Sequence, residues 1–430
     1  MNNLSIKRSP LAIKEVSAKL YFLLSFLIFF NMTKSFSQDI KEKNISSPAS
    51  VENQLKSDAN EKEKTSLWHL VDSTDQAKKK FYEKTGFMAN MDYNSQVMGA
   101  TSVVNNNVGA SGVFRVYGKW DLIGNKKGTS KGGLVFKFEN RHKYTDNALR
   151  EFGPIDVGFA GFMQSVYNDQ KWRMTNLYWR QSFNNNKIVF YTGFVDVTDW
   201  VDVHAAASPW TSFNNIVFAT GSGTLGGLFP DGSMGAMLNV WVNDNVYLVG
   251  SMIDINGKAT EFWKSAGTFF TKFETLKTLE VGYTTGMKSA FLKNVHATIW
   301  QVDASEMVGT KSGFGVIGSA SWLIGNKFMP FVRGGWAKDG GSIYEASVSA
   351  GFTYNIMGPN TLGVGLNWNR PSESTFGQKL RDQYVSEVFY KFKLTHHTEL
   401  TPSVQLVANP ALNMNTNFTS VFGLRFRAFL

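Results

Sequence analysis

Cysteine is missing from all 430 residues. That excludes a disulfide frame, a thiolate nucleophile and any cysteine-ligated metal or iron–sulfur centre. Long apolar runs are also missing beyond the first thirty residues, so no helical membrane span is expected there. The formal charge is +10, but residues 1–37 carry five Lys or Arg against one Glu, and the remainder stands at only +6. With so mild an excess there is no nucleic-acid signal. The segment GSGTLGG at 221–227 follows no strand-to-helix pattern and has no Lys partner, so it is not a phosphate-binding loop. His396 and His397 are adjacent, without the spacing of a metal site. His142 has no neighbouring Ser motif that would make it half of a lipase-like pair. No metal, no cofactor and no enzymatic activity are expected.

What is present is alternation. At the carboxyl end, Phe422, Leu424, Phe426, Ala428 and Leu430 share one face, and Gly423, Arg425 and Arg427 share the other. The run at 387–394 repeats this, with Val388, Tyr390, Phe392 and Leu394 set against Glu387, Lys391 and Lys393. A strict two-residue period means strands. Glycine at 39 residues and aromatics at 14%, with a mean hydropathy of −0.19, fit strands whose lipid-facing and lumen-facing residues average out. The expected fold is all-β, a transmembrane antiparallel β-barrel of about sixteen strands.

The beginning of the chain fits export. Lys7, Arg8, Lys14 and Lys19 precede the apolar stretch 20–30, and Ser35 and Ser37 flank a cleavage position. We read 1–37 as a signal peptide. Residues 38–66, rich in Lys, Glu, Ser and Asn, read as a flexible periplasmic linker, and 67–84 as a short helical or irregular segment. The barrel is expected over 85–430. Its strands are expected at 85–94, 112–122, 131–142, 173–183, 187–196, 234–242, 246–254 and 277–286. Eight more are expected at 293–301, 313–322, 328–336, 343–354, 361–369, 386–394, 399–408 and 419–430. Connections alternate between short turns, such as 184–186 and 395–398, and long loops, notably 143–172, 197–233, 255–276 and 370–385. Short periplasmic turns and long outer loops are the arrangement expected of outer-membrane barrels, and sixteen strands leave an aqueous lumen. Trp120, Trp322, Trp336, Trp368 and Tyr354 fall near strand ends on the apolar parity, as interfacial belts do.

The segment NLYWRQSF at 176–183, the turn NNN and YTGFVDVTDWVDVHAAASPWTSFNN resemble the middle of the carbohydrate-selective porins of the OprB type. YKFKLTHHTELTPSVQLVANPALN and FGLRFRAFL resemble the end of that family more closely. One departure is the final residue, Leu430, where an aromatic is usual. The resemblance implies a diffusion channel for sugars in the outer membrane of a Gram-negative-type bacterium. Its partners would be small carbohydrates or other small hydrophilic solutes, membrane lipids and the barrel-assembly machinery.

Sugars need hydrogen-bonding groups in place of water and flat aromatic surfaces for their ring faces. The expected lining is Glu139, Arg141, Arg180, Asp196 and Asp199 on one wall, joined by Trp200 and Trp210. Arg333 and Glu387 face them from the far side, Arg425 is a further lumen residue, and Glu345 falls on the same lumen parity away from that wall. The loop 197–233 is the first candidate for a constriction and 143–172 the second. The same charges equally serve a general or anion-preferring porin, and long loops equally serve a surface receptor or adhesin.

Overall fold

A computed structural model describes residues 45–60, 69–124, 129–227, 231–285, 290–356 and 358–430. The expected signal peptide lies outside these residues. Along the chain, β1 (Phe87–Ala100), β2 (Val108–Ile123), β3 (Lys131–Lys143), β4 (Lys171–Phe183) and β5 (Ile188–Val195) come first. Then follow β6 (Ser233–Trp241), β7 (Val246–Asp254), β8 (Thr275–Thr284), β9 (Lys293–Val302), β10 (Gly313–Trp322) and β11 (Phe328–Asp339). The last five are β12 (Tyr344–Tyr354), β13 (Thr361–Pro371), β14 (Gln383–Thr395), β15 (Thr398–Ala408) and β16 (Phe418–Phe429). Each pairs antiparallel with its neighbours in sequence, and β1 pairs with β16 to close the barrel. Among the described residues no helix is long and apolar enough to cross a membrane.

Period two accounts for the wall. On β16, Phe422, Leu424 and Phe426 are exposed outward, while Arg425, Arg427 and Phe429 are buried inside. The aromatics segregate to two levels. Trp120 and Tyr354 are exposed near the end where the turns are short, and Trp336 near the end where the loops are long. The short turn between β4 and β5 is made by Asn184, Asn185 and Asn186, all at positive φ, a conformation that asparagine tolerates better than other side chains.

Leu424→Arg tests the outward assignment. Leu424 sits mid-strand between Val97 and Pro402, so a cation there should cost about 2–4 kcal/mol of membrane stability. At Phe418, the first residue of β16, the same change should cost about 0–1 kcal/mol. Urea titration of the folded band on unheated gels reads both. Equal losses would mean that Leu424 does not face lipid near mid-bilayer.

Two expectations need correction. Alternation puts Glu345 on the lumen face, but a register shift between Tyr344 and Ala346 turns it outward, 3.6 Å from Arg370. One extra residue in a strand reverses the parity that follows it. The linker expected over 38–66 differs more. Its described part holds a helix, α1 (Val51–Asn60), whose Val51 and Leu55 are buried. A second helix, α2 (His69–Thr85), follows and is tied to the wall by Tyr82 donating to Asp121 at 2.5 Å.

The lumen is not simply aqueous. The loop 196–232 turns inward and crosses to the opposite wall. There Glu387 accepts the backbone N–H groups of Asn214 (2.7 Å) and Asn215 (3.0 Å). Arg425 donates to the carbonyls of Pro209 and Ser212, and Arg333 to those of Asp202 and Phe218. Loop 144–170 also enters, with Gln164 donating to Gln96 at 2.7 Å and Ala160 N–H to Gln383 at 2.9 Å. From the short-turn end, α1 lies along the inner wall. Its Asp58 accepts from Tyr117 (2.5 Å), Arg427 (3.0 Å) and Asn90 (3.1 Å), and its Glu52 pairs with Arg180 at 3.2 Å.

Candidate pore constriction

A cavity inside the barrel lies against the lumen face of β3, beneath the inward loops. On β3, Lys137, Glu139 and Arg141 alternate inward, two residues apart. Arg141 donates to its neighbour Glu139 at 2.7 Å and to Asp231, near the end of the inward loop, also at 2.7 Å. Arg173 of β4 reaches the same Asp231 oxygen at 2.9 Å and Arg150 comes within 3.7 Å. Three guanidiniums thus gather on one carboxylate. Burial pushes the Asp231 carboxyl up, but Arg173, Arg141 and Arg150 outweigh this and hold it well below the usual range.

Just past β5 the chain makes a single helical turn capped by Asp196, which accepts from the Thr198 N–H at 3.1 Å and its hydroxyl at 2.7 Å. Asp199 follows, accepting from Asn176 at 3.3 Å. Burial raises its carboxyl to about 7, with Lys137 opposing and Asp196 adding to the rise. Near neutral pH that group both donates and accepts. Glu139, Arg141, Arg150, Asp196, Asp199 and Asp231, with Trp210, line a cavity of about 130 Å³. Ala49, just before α1, also lines it, and Ser47 N–H donates to the Asp199 carbonyl at 2.7 Å.

Five of the expected lining residues therefore meet at one cavity: Glu139, Arg141, Asp196, Asp199 and Trp210. The others do not. Arg180 is seven residues along β4 from Arg173, roughly 20 Å at strand rise, and belongs with Glu52 near the short turn. Trp200 is fully buried against Tyr191 and Tyr178, with ring centroids 4.6 and 5.3 Å away, so it packs. Arg333, Glu387 and Arg425 hold the inward loop instead of facing an open channel.

Sequence reasoning missed Arg150, Arg173 and Asp231. Arg173 and Arg180 are an odd number apart, which places them on opposite faces by alternation. A register shift between Lys137 and Phe138 on the partner strand, where β4 carries one extra residue, returns both to the lumen. Arg150 and Asp231 lie in loops with no local pattern.

No curated protein matches the chain in sequence. Residues 283–428 match the family described as carbohydrate-selective porin, OprB family. Among solved structures, the high-pH form of Pseudomonas putida OprB superposes with a TM-score of 0.65 at 12% identity, covering 82% of this chain and 96% of that one. The low-pH form of the same protein gives 0.51 at 11% identity, covering 86% and 100%. At such identities the structures speak for the fold, and the family match speaks for the region it covers. Over 283–428 the chain is similar to the OprB-type porin family, and its fold as a whole is the sixteen-strand antiparallel barrel seen in Pseudomonas putida OprB.

Proposed function

We propose that this protein is an outer-membrane porin of a Gram-negative-type bacterium through which small sugars diffuse passively. The observation that carries the reading is the ring around the cavity. Guanidiniums and carboxylates are balanced there, with Trp210 beside them, which offers directional hydrogen bonds without a strong net charge. Weak, dispersed contacts of this kind let a solute enter and leave. The family of the carboxyl-terminal third supports the choice of sugars. Membrane lipids and the barrel-assembly machinery are the partners that such a barrel requires.

A planar-bilayer recording tests it. Added sugar should block the ionic current, and Arg141→Ala should weaken that block several-fold. Arg180→Ala, remote from the cavity, should weaken it much less. Conduction without block by any sugar tried, or equal effects of the two variants, would sink the reading. One observation favours a second reading, an anion-preferring channel: Arg141, Arg150 and Arg173 converge on a single Asp231. A reversal potential strongly biased toward chloride, with no sugar block, would select it. No conduction at all would leave a surface receptor or adhesin.

A further inference from the structure

The connection between β7 and β8 does not stay over the mouth of the barrel. It passes outside the wall. Met174 of β4 donates its backbone N–H to the Ala259 carbonyl at 2.9 Å, so the connection reaches past β6 and β5 to the edge of β4. A helix follows, α3 (Phe262–Thr271). Its Phe262 ring lies 5.1 Å from Phe194.

Phe194 reveals which side of the wall this is. It is paired with Leu177 and Met234 and shares the outward parity of Ile188 and Phe190, both of which are exposed. Yet Phe194 itself is fully buried. The helix covers it from outside.

The far side of the helix is apolar too. Trp263 is 85% exposed and Phe270 74%, and Phe273 just beyond is also exposed. Residues seven apart on a helix lie within about 20° of one azimuth, so Trp263 and Phe270 form one stripe and Phe262 and Phe269 another. A helix that is apolar on two faces needs cover on both. The barrel wall covers the Phe262 side. Around the helix the same wall exposes Trp172 and Leu238, so the uncovered stripe continues the wall's lipid-facing belt. Lys264, about 100° round the helix from Trp263, borders the stripe and pairs with Glu261 at 3.0 Å.

We propose that α3 is an interfacial helix, lying in the lipid leaflet at the long-loop end with Trp263 and Phe270 in the headgroup–acyl boundary. A helix held this way extends the barrel's membrane contact beyond its own wall. The inference rests on the barrel's membrane setting, not on which solute passes.

The missing cysteine makes the test clean. A Cβ added at Gly267, between Trp263 and Phe270, meets no atom within 4 Å. Gly267→Cys is to be labelled with a polarity-sensitive fluorophore in the full-length protein. The labelled protein is reconstituted in vesicles of phosphatidylcholine and phosphatidylglycerol. Leu238→Cys on the lipid-facing wall and Met414→Cys in an exposed loop serve as controls. The Gly267 label should emit blue-shifted from the Met414 label. It should be quenched several-fold more by lipids carrying a shallow nitroxide, and shielded from aqueous iodide. Water-like emission with iodide quenching equal to that at Met414 would overturn the proposal. Self-quenching that grows with protein density and ignores the nitroxide lipids would assign the stripe to a second copy, and would overturn it as well. If the Leu238 label also escapes lipid quenching, the membrane setting itself is wrong and this inference goes with it.

Discussion

A chain lacking residues 45–60 is expected to conduct several-fold more current per channel than the full-length protein. The segment lies between the cavity and the short-turn end, with Ala49 at the cavity and Asp58 against Arg427. No strand pairs with it, so the ladder that builds the barrel loses nothing when it goes. Ile45, Val51 and Leu55 pack into apolar surface inside the barrel, and its other attachments are polar. Glu52 meets Arg180, and Asp58 meets Arg427, Tyr117 and Asn90. Removing both carboxylates also frees Arg180 from Glu52, while Arg427 keeps Asp92 and Glu399, so the reversal potential should move modestly toward anions along with the gain in current. The milder pair Glu52→Gln and Asp58→Asn, in full-length chain, should flicker between the two conductance levels. Single-channel recording in a planar bilayer decides. Unchanged conductance in the deletion would mean that the segment lies beside the solute path and does not narrow it.

The second large effect is expected at Asp202. Its carboxylate pairs with Arg333, lies 2.7 Å from His296 Nε2 and accepts the Gly221 N–H, while its own N–H donates to Glu280 at 2.7 Å. Asp202 and Arg333 are both buried. Asp202→Ala strands the guanidinium with backbone carbonyls alone, which typically costs about 3–5 kcal/mol. The cost falls on docking of the inward loop, because the wall strands make no ladder bond through Asp202. Protease should cut within 196–232 much faster, and current should become noisy, while the folded barrel keeps its mobility on unheated gels. Replacing both partners, Asp202→Leu with Arg333→Met, should recover most of the protection, since no charge is then left buried and unpaired. Cleavage of Asp202→Ala at the wild-type rate would show that the loop is held elsewhere.

The wall was legible in the sequence because lipid and lumen impose opposite demands on alternate residues. Boundaries moved where that contrast fades. The first strand runs to Ala100 and not to 94, since Ser95, Gln96 and Gly99 blur the apolar signal. Length alone picked out the two loops that enter the lumen, but what holds them there was not legible. Arg333 and Asp202 are 131 residues apart, and Asn214 and Glu387 are 173 apart, so nothing local announces either pairing. Residues 45–60 read as a linker for a related reason. A segment that docks against charged walls needs Glu, Asp, Asn and Ser, which is also the composition of solvated chain. Arg173 and Glu345 show the third kind of failure, where a register shift reverses alternation.

The seam between the first and last strands has a consequence for how the barrel is made. Asp92 of β1 holds Arg115 of β2 and Arg427 of β16 together, and nine residue pairs from Asp92–Phe429 to Ala100–Val421 run beside it. The partners Asp92 and Arg427 are 335 residues apart. In equilibrium terms that distance matters little, because each doubling of a closed loop costs only about 0.6 kcal/mol. In time it matters a great deal, because contacts of such separation form slowly. Until β16 pairs, β1 has one unpaired edge, and Asp92 has only one of its two wall arginines. An unfinished barrel therefore differs from a finished one at this seam, in hydrogen bonding and charge, and only the complete chain removes the difference.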